Sequence, residues 1–180
     1  MSDFEYIAGF YGLLLGLAVA NVAVAFADMF RDRERIAIGW APPLLAAVVL
    51  LGSMNTWLSM WNVHQEVMVD AWQMIAALGI CLPYVFISRA MTPPEGAETA
   101  LEDHYLKGRI PILIALAIPP AISVWSKIRL DHFHYDQAEE LWLLLRFVTP
   151  LALIPFGNRI ADRYGFALLS LLLVAGMFVK

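Results

Sequence analysis

Apolar and polar positions alternate along this chain on the scale of whole helices. Runs rich in Leu, Ala, Val, Ile and aromatic residues lie near 6–30, 42–61, 68–88, 111–125, 141–156 and 164–179, separated by charged or Pro-containing stretches. About 20 apolar residues in a helix match the ~30 Å hydrocarbon layer of a bilayer. The pattern therefore predicts an all-α, polytopic membrane helical bundle of about six transmembrane helices, with 1–180 as a single integral membrane domain. The last three runs are short, so their ends must lean on interfacial side chains or local thinning. Between the third and fourth runs, Thr92-Pro93-Pro94-Glu95 has the form of a capping box, with Ala97, Leu101 and Tyr105 after it at helical spacing. This predicts a short amphipathic helix on the membrane surface.

Composition strengthens the membrane reading. Of 180 residues, 61% are hydrophobic and 16% charged, and mean hydropathy is +0.68. Soluble domains run nearer 45–50% and about 25%. A net charge of −4 provides no footprint for nucleic acid. The single cysteine, Cys81, cannot form an intramolecular disulfide. The acidic start, Asp3 and Glu5, suggests a retained first span rather than a cleavable leader.

Charge also orients the spans. Arg31, Arg33, Arg35, Arg89, Lys107, Arg109, Arg159 and Arg163 fall on one side, against Lys127, Arg129 and Lys180 on the other. The positive-inside rule then predicts a bacterial cytoplasmic (inner) membrane protein with both termini on the outer, periplasmic side. Trp57, Trp61, Trp72, Trp125 and Trp142 fall near outer span ends and Trp40 near an inner one, as in an aromatic belt. A ligand cage built from the outer tryptophans is the alternative.

Few residues suggest chemistry. Arg146 lies about 8 Å inside the fifth run at 1.5 Å per residue. A cation there either snorkels to the headgroups or faces the interior, where it would meet an anion or a carboxylate such as Glu5, Glu66 or Asp70. Asn55 is a candidate to share that site. Asn21 and Asp28 share a face of the first run, either as an interhelical hydrogen bond and a surface ion pair or as part of an ion path. Pro119, Pro120 and Pro150 fall inside spans, where a missing N–H and a steric clash kink a helix and free carbonyls for a substrate path. Gly9, Gly12, Gly16 and Ala20 form a small-residue stripe, read as close packing within the bundle or as a seam to a second copy or another subunit. The loop Asp131-His132-Phe133-His134-Tyr135-Asp136, with His64 from another outer loop, offers nitrogen and oxygen ligands for a metal.

The Gly12–Leu17 segment, the Arg31–Arg35 cluster, Trp40 and Pro42, Trp57 and Trp61, Leu82-Pro83 and the stretch Leu101-Glu102-Asp103-His104-Tyr105-Leu106 before Arg109 succeed one another in a familiar order. In this the chain resembles a group of uncharacterised bacterial integral membrane proteins of about six helices, over most of residues 1–125. The resemblance implies no activity and no cofactor. It draws attention to Asp103-His104-Tyr105, a polar turn of the surface helix unless it folds under the bundle. Trp40-Ala41-Pro42-Pro43 is similar to a helix of the tryptophan-rich sensory proteins, but the rest of that motif is missing.

Walker, GxSxG, HExxH and GxGxxG motifs are absent from the sequence, so an enzyme is the last expectation. The first is an accessory or scaffold subunit of a membrane assembly. The second is a small channel or transporter with its site around Arg146, and the third a membrane enzyme or metal binder using the outer His and carboxylate loops. Expected partners are membrane lipids and another membrane subunit or a second copy, with no cofactor beyond lipid contacts and an outer-loop metal.

Overall fold

In a computed structural model, described for residues 3–31, 37–62, 70–92, 100–129 and 138–178, the chain is all-helical. Its helices are α1 (Asp3–Arg31), α2 (Ala41–Asn62), α3 (Ala71–Ala90), α4 (Leu101–Lys107), α5 (Arg109–Arg129), α6 (Ala138–Leu153) and α7 (Arg159–Phe178). A 3-10 turn at Ile154–Phe156 and Gly157, in the left-handed region at φ 53°, reverse the chain between α6 and α7.

The six long helices close into a ring. Neighbours run α1, α2, α7, α6, α5, α3 and back to α1, with α2 also touching α3. Each leaves large apolar side chains exposed, among them Leu13, Leu58, Phe86, Ile114, Val148 and Leu171. A water-soluble fold would have to bury such a surface, whereas a bilayer solvates it. Five helices, α1, α2, α3, α5 and α7, are long and apolar enough to cross a membrane, making this a multi-pass membrane protein.

Several expectations change. The fifth run forms α6, whose 16 residues match the shortness of the run in the sequence and fall below the ~20 a straight crossing takes. Glu139 and Glu140 occupy its first turn, and Ile154-Pro155-Phe156 tighten its end into the 3-10 turn. The fourth and sixth runs extend into charged positions, to Arg109 and Arg159, the first because its guanidinium has a buried partner in Asp162, the second with a half-exposed partner in Asp103. Helix α5 continues through Pro119 and Pro120, and α6 through Pro150.

The surface helix is also revised. Pro93, Pro94 and Glu95 of the expected capping box lie outside the described residues; the Thr92 hydroxyl donates to the Arg89 carbonyl at 3.0 Å at the end of α3. The seven-residue α4 is sunk into the bundle, with Tyr105 0% and Leu101 5% exposed. Leu101 N–H donates to the Ala37 carbonyl at 3.2 Å. The Glu102 side chain covers Gly39, whose φ of 72° and lack of a Cβ both suit the contact. The face of α4 expected to meet lipid instead completes the core.

The small-residue stripe turns outward. Helix α1 packs through Ile7, Leu15, Ala18, Val22, Ala25 and Met29, while Gly9, Gly16 and Ala20 are exposed. Only Gly12 of the four is covered, by the ring of Trp57, which a Cβ there would meet at 3.5 Å. Lipid is as apolar as a protein core, so either face of this helix satisfies the hydrophobic pattern.

Candidate binding cavity

The ring encloses a cavity of about 770 Å³, within the range of small-molecule sites. All six long helices contribute to its wall. Its wall runs from exposed Asn62, Asp70 and Glu139, where α2 ends and α3 and α6 begin, to buried Val48, Tyr84, Leu116 and Leu169; the exposed end is its mouth. From Asn62 to Val48 is about 20 Å of helix rise. Trp61, Trp72 and Trp125 gather at the open end, with the Trp72 and Trp125 rings 4.5 Å apart. Trp72 belongs to the wall as well as to the exposed aromatic set.

Hydroxyls and amides line the interior. Asn55, Thr56 and Ser59 come from α2, Gln73 and Tyr84 from α3, Ser123 and Ser126 from α5, and Tyr11 from α1. Tyr84 is held in place by the absence of a side chain opposite: its ring lies against Gly52, where a Cβ would come within 2.6 Å. Ser123 donates to the Pro119 carbonyl at 3.0 Å, so this hydroxyl is already turned toward its own helix.

Arg146 projects into this space. Its guanidinium lies beside Gly176 of α7, as does the amide oxygen of Asn55. Tyr84 and Glu139 are its ionisable neighbours. Among the described residues it makes no ion pair, and its buried Nε has no hydrogen-bond partner. Leaving a buried donor unsatisfied costs about 1–3 kcal/mol, and more for a charged group. Near the mouth, Lys127 Nζ donates to Glu139 Oε1 and Glu140 Oε1, each at 3.0 Å. Glu140 is only 1% exposed, and its Oε2 has no partner among the described residues. Asp70 caps α3, accepting from Gln73 N–H at 2.6 Å.

Other sequence-marked positions lie elsewhere. Pro119 and Pro120 line the cavity, whereas Pro150 is buried away from it. Asn21 donates from Nδ2 to Ser88 Oγ at 3.2 Å, tying α1 to α3. Asp28 pairs with Arg31 at 3.0 Å on the surface. Neither reaches the cavity. Asp131, His132, His134, Asp136 and His64 lie outside the described residues; among the described ones no group of three His, Cys, Asp or Glu side chains is placed to hold a metal.

The opposite end of the ring is closed by charge. Arg109 donates from Nε to Asp162 Oδ2 at 2.6 Å and from Nη2 to Asp162 Oδ1 at 2.9 Å. It also donates to the carbonyls of Leu153 and Ile154, closing the end of α6. Tyr105 Oη donates to Asp162 Oδ2 at 2.9 Å. Burial, and next the Asp162 carboxylate, hold the Tyr105 hydroxyl well above its ordinary pKa. Arg163 pairs with Glu102 at 3.0 Å and Arg159 with Asp103 at 2.6 Å. His104 Nε2 lies 3.2 Å from the Ala90 carbonyl. Charge counting along the sequence assigns Arg109, Arg159 and Arg163 to loop topology alone. The signal that points further is the acid–base alternation of Arg159, Asp162 and Arg163 against Glu102, Asp103 and Arg109. Comparison with known proteins finds no matching family model, curated protein or solved structure.

Proposed function

We propose that this chain is a six-span membrane protein that binds a small polar solute in the ring cavity and carries it toward the clasped end. The observation that carries the reading is Arg146, a cation on the cavity wall with no carboxylate in ion-pair range among the described residues. Ionisable side chains at membrane depth are costly, face the bundle interior or a cavity, and mark substrate or ion paths. The sixth span of this reading is α6, supported by its course from Glu139 at the mouth to Leu153 at the clasp, alongside α5 and α7. Both described ends, Asp3 on α1 and Phe178 on α7, then lie at the mouth. An accessory role draws on the outward small-residue face of α1, but gives no reason for an interior cation that has no carboxylate partner among the described residues.

The test is side-chain accessibility. Thr56→Cys in proteoliposomes is expected to react with anionic and cationic methanethiosulfonates, whereas Leu13→Cys on the outer face of α1 stays inert. Adding Arg146→Gln should lower the anionic-to-cationic rate ratio at position 56 at least fivefold. An inert Thr56→Cys, or a ratio unmoved by Arg146→Gln, rejects the reading.

A further inference from the structure

Two buried polar atoms in the cavity wall lack partners among the described residues: Glu140 Oε2 and Arg146 Nε. They carry opposite charge, sit on the same helix and face the same space. Six residues separate them, about 9 Å of helix rise, with Glu140 nearer the mouth. Opposite charges in one low-dielectric cavity attract strongly, yet they form no bridge. Glu140 is held on its other oxygen by Lys127, which it shares with Glu139. Among the described residues one ammonium thus serves two carboxylates, and the mouth has more negative than positive charge, to which Asp70 adds.

A simple anion would satisfy Arg146 and be repelled by the mouth carboxylates. A simple cation would satisfy Glu140 and leave Arg146 unmet. A single molecule carrying both charges answers both atoms at once. Building on the solute-binding reading above, we propose that the cavity ligand is a small zwitterion, its ammonium group at Glu140 and its anionic group at Arg146. The spacing favours charges at opposite ends of a short chain over the adjacent charges of an α-amino acid. The hydroxyls of Thr56 and Tyr84 and the amide of Asn55, near the guanidinium, supply further hydrogen bonds to the anionic end.

The test titrates three probes against the full chain in phosphatidylglycerol nanodiscs: 5-aminopentanoate, pentanoate and pentylamine. The expected result is at least tenfold tighter binding of 5-aminopentanoate than of either single-charge probe. Arg146→Gln should then bring 5-aminopentanoate down to the level of pentylamine, and Glu140→Gln down to that of pentanoate. The ligand series in the unaltered protein decides the matter even if a variant fails to fold. Pentanoate binding as tightly as 5-aminopentanoate, and still weakened by Arg146→Gln, overturns the zwitterion and leaves solute binding standing. Absence of binding by all three probes overturns the zwitterion, while the fate of solute binding is read from the Thr56→Cys rates. Repeating the titration with phosphatidylethanolamine present separates two sources of the same chemistry. Unchanged affinity supports a soluble zwitterion, and competitive weakening supports a lipid headgroup in the same site.

Discussion

The two ends of the helix ring treat buried charge in opposite ways. At the clasp, Arg109, Arg159 and Arg163 each meet a carboxylate, although the buried Arg163 Nε has no partner among the described residues, and Asp162, 0% exposed, also accepts from Tyr105. At the cavity, Arg146 meets none among the described residues and Glu140 is answered on one oxygen only. Both ends carry desolvated charge inside a largely apolar shell. The clasp uses it to fasten α4 and α5 to the first turn of α7, across sequence separations of 53 to 61 residues. The cavity leaves its charge without an answering group among the described residues. A satisfied pair mainly holds elements together, whereas an unanswered charge is better understood as a binding group.

The sharpest way to break this contrast is at Asp162. Asp162→Asn strands Arg109 and should lower stability by about 3–5 kcal/mol, read from chemical unfolding in detergent. A loss under about 1 kcal/mol would mean the clasp does not hold the fold. Arg146→Met should move stability the other way, gaining about 1–2 kcal/mol as an unmet donor is removed, while abolishing any charge selectivity at position 56. Destabilisation there would place Arg146 with the structural charges.

Tyr105→Phe removes one hydrogen bond from Asp162 and should cost about 1 kcal/mol. Its pH dependence has a definite sign. The folded hydroxyl titrates above its ordinary value of 10.0, so its stabilisation is complete below that pH. It is lost as pH rises beyond it, where the unfolded chain releases the proton first. The gap between wild type and Tyr105→Phe should therefore hold steady from about pH 6 to about 9.5 and narrow above about 10. A gap that changes near neutral pH would reject this assignment. The smallest effect belongs to Arg159→Gln. Its pair with Asp103 is about half exposed on both sides, 51% and 48%, so a loss of at most about 0.5 kcal/mol is expected, and it should vanish in high salt.

Much of this is legible residue by residue. A charge within an apolar run marks Arg146, and proximity in depth marks Asn55; both line the cavity. Glu139, Glu140 and Lys127 carry no such mark, because at a helix end a charged residue looks like ordinary solvation. Tyr84 gives no sign either, since its position depends on Gly52 of another helix. Asp103-His104-Tyr105 draws attention through resemblance, but its partner Asp162 lies 57 residues beyond Tyr105.

Hydropathy is enough to establish an all-helical membrane chain and the approximate place of its long helices, because a bilayer demands apolar length and internal backbone hydrogen bonding wherever the chain crosses. It cannot say which face of α1 turns inward, whether α4 lies on the surface or in the core, or which charges find one another. In lipid both helix faces are apolar, so periodicity loses its power to orient them. Pairing between Arg109 and Asp162, and its lack at Arg146 among the described residues, depends on how distant helices are brought together. That arrangement comes from packing across the whole ring, which no local stretch of sequence encodes.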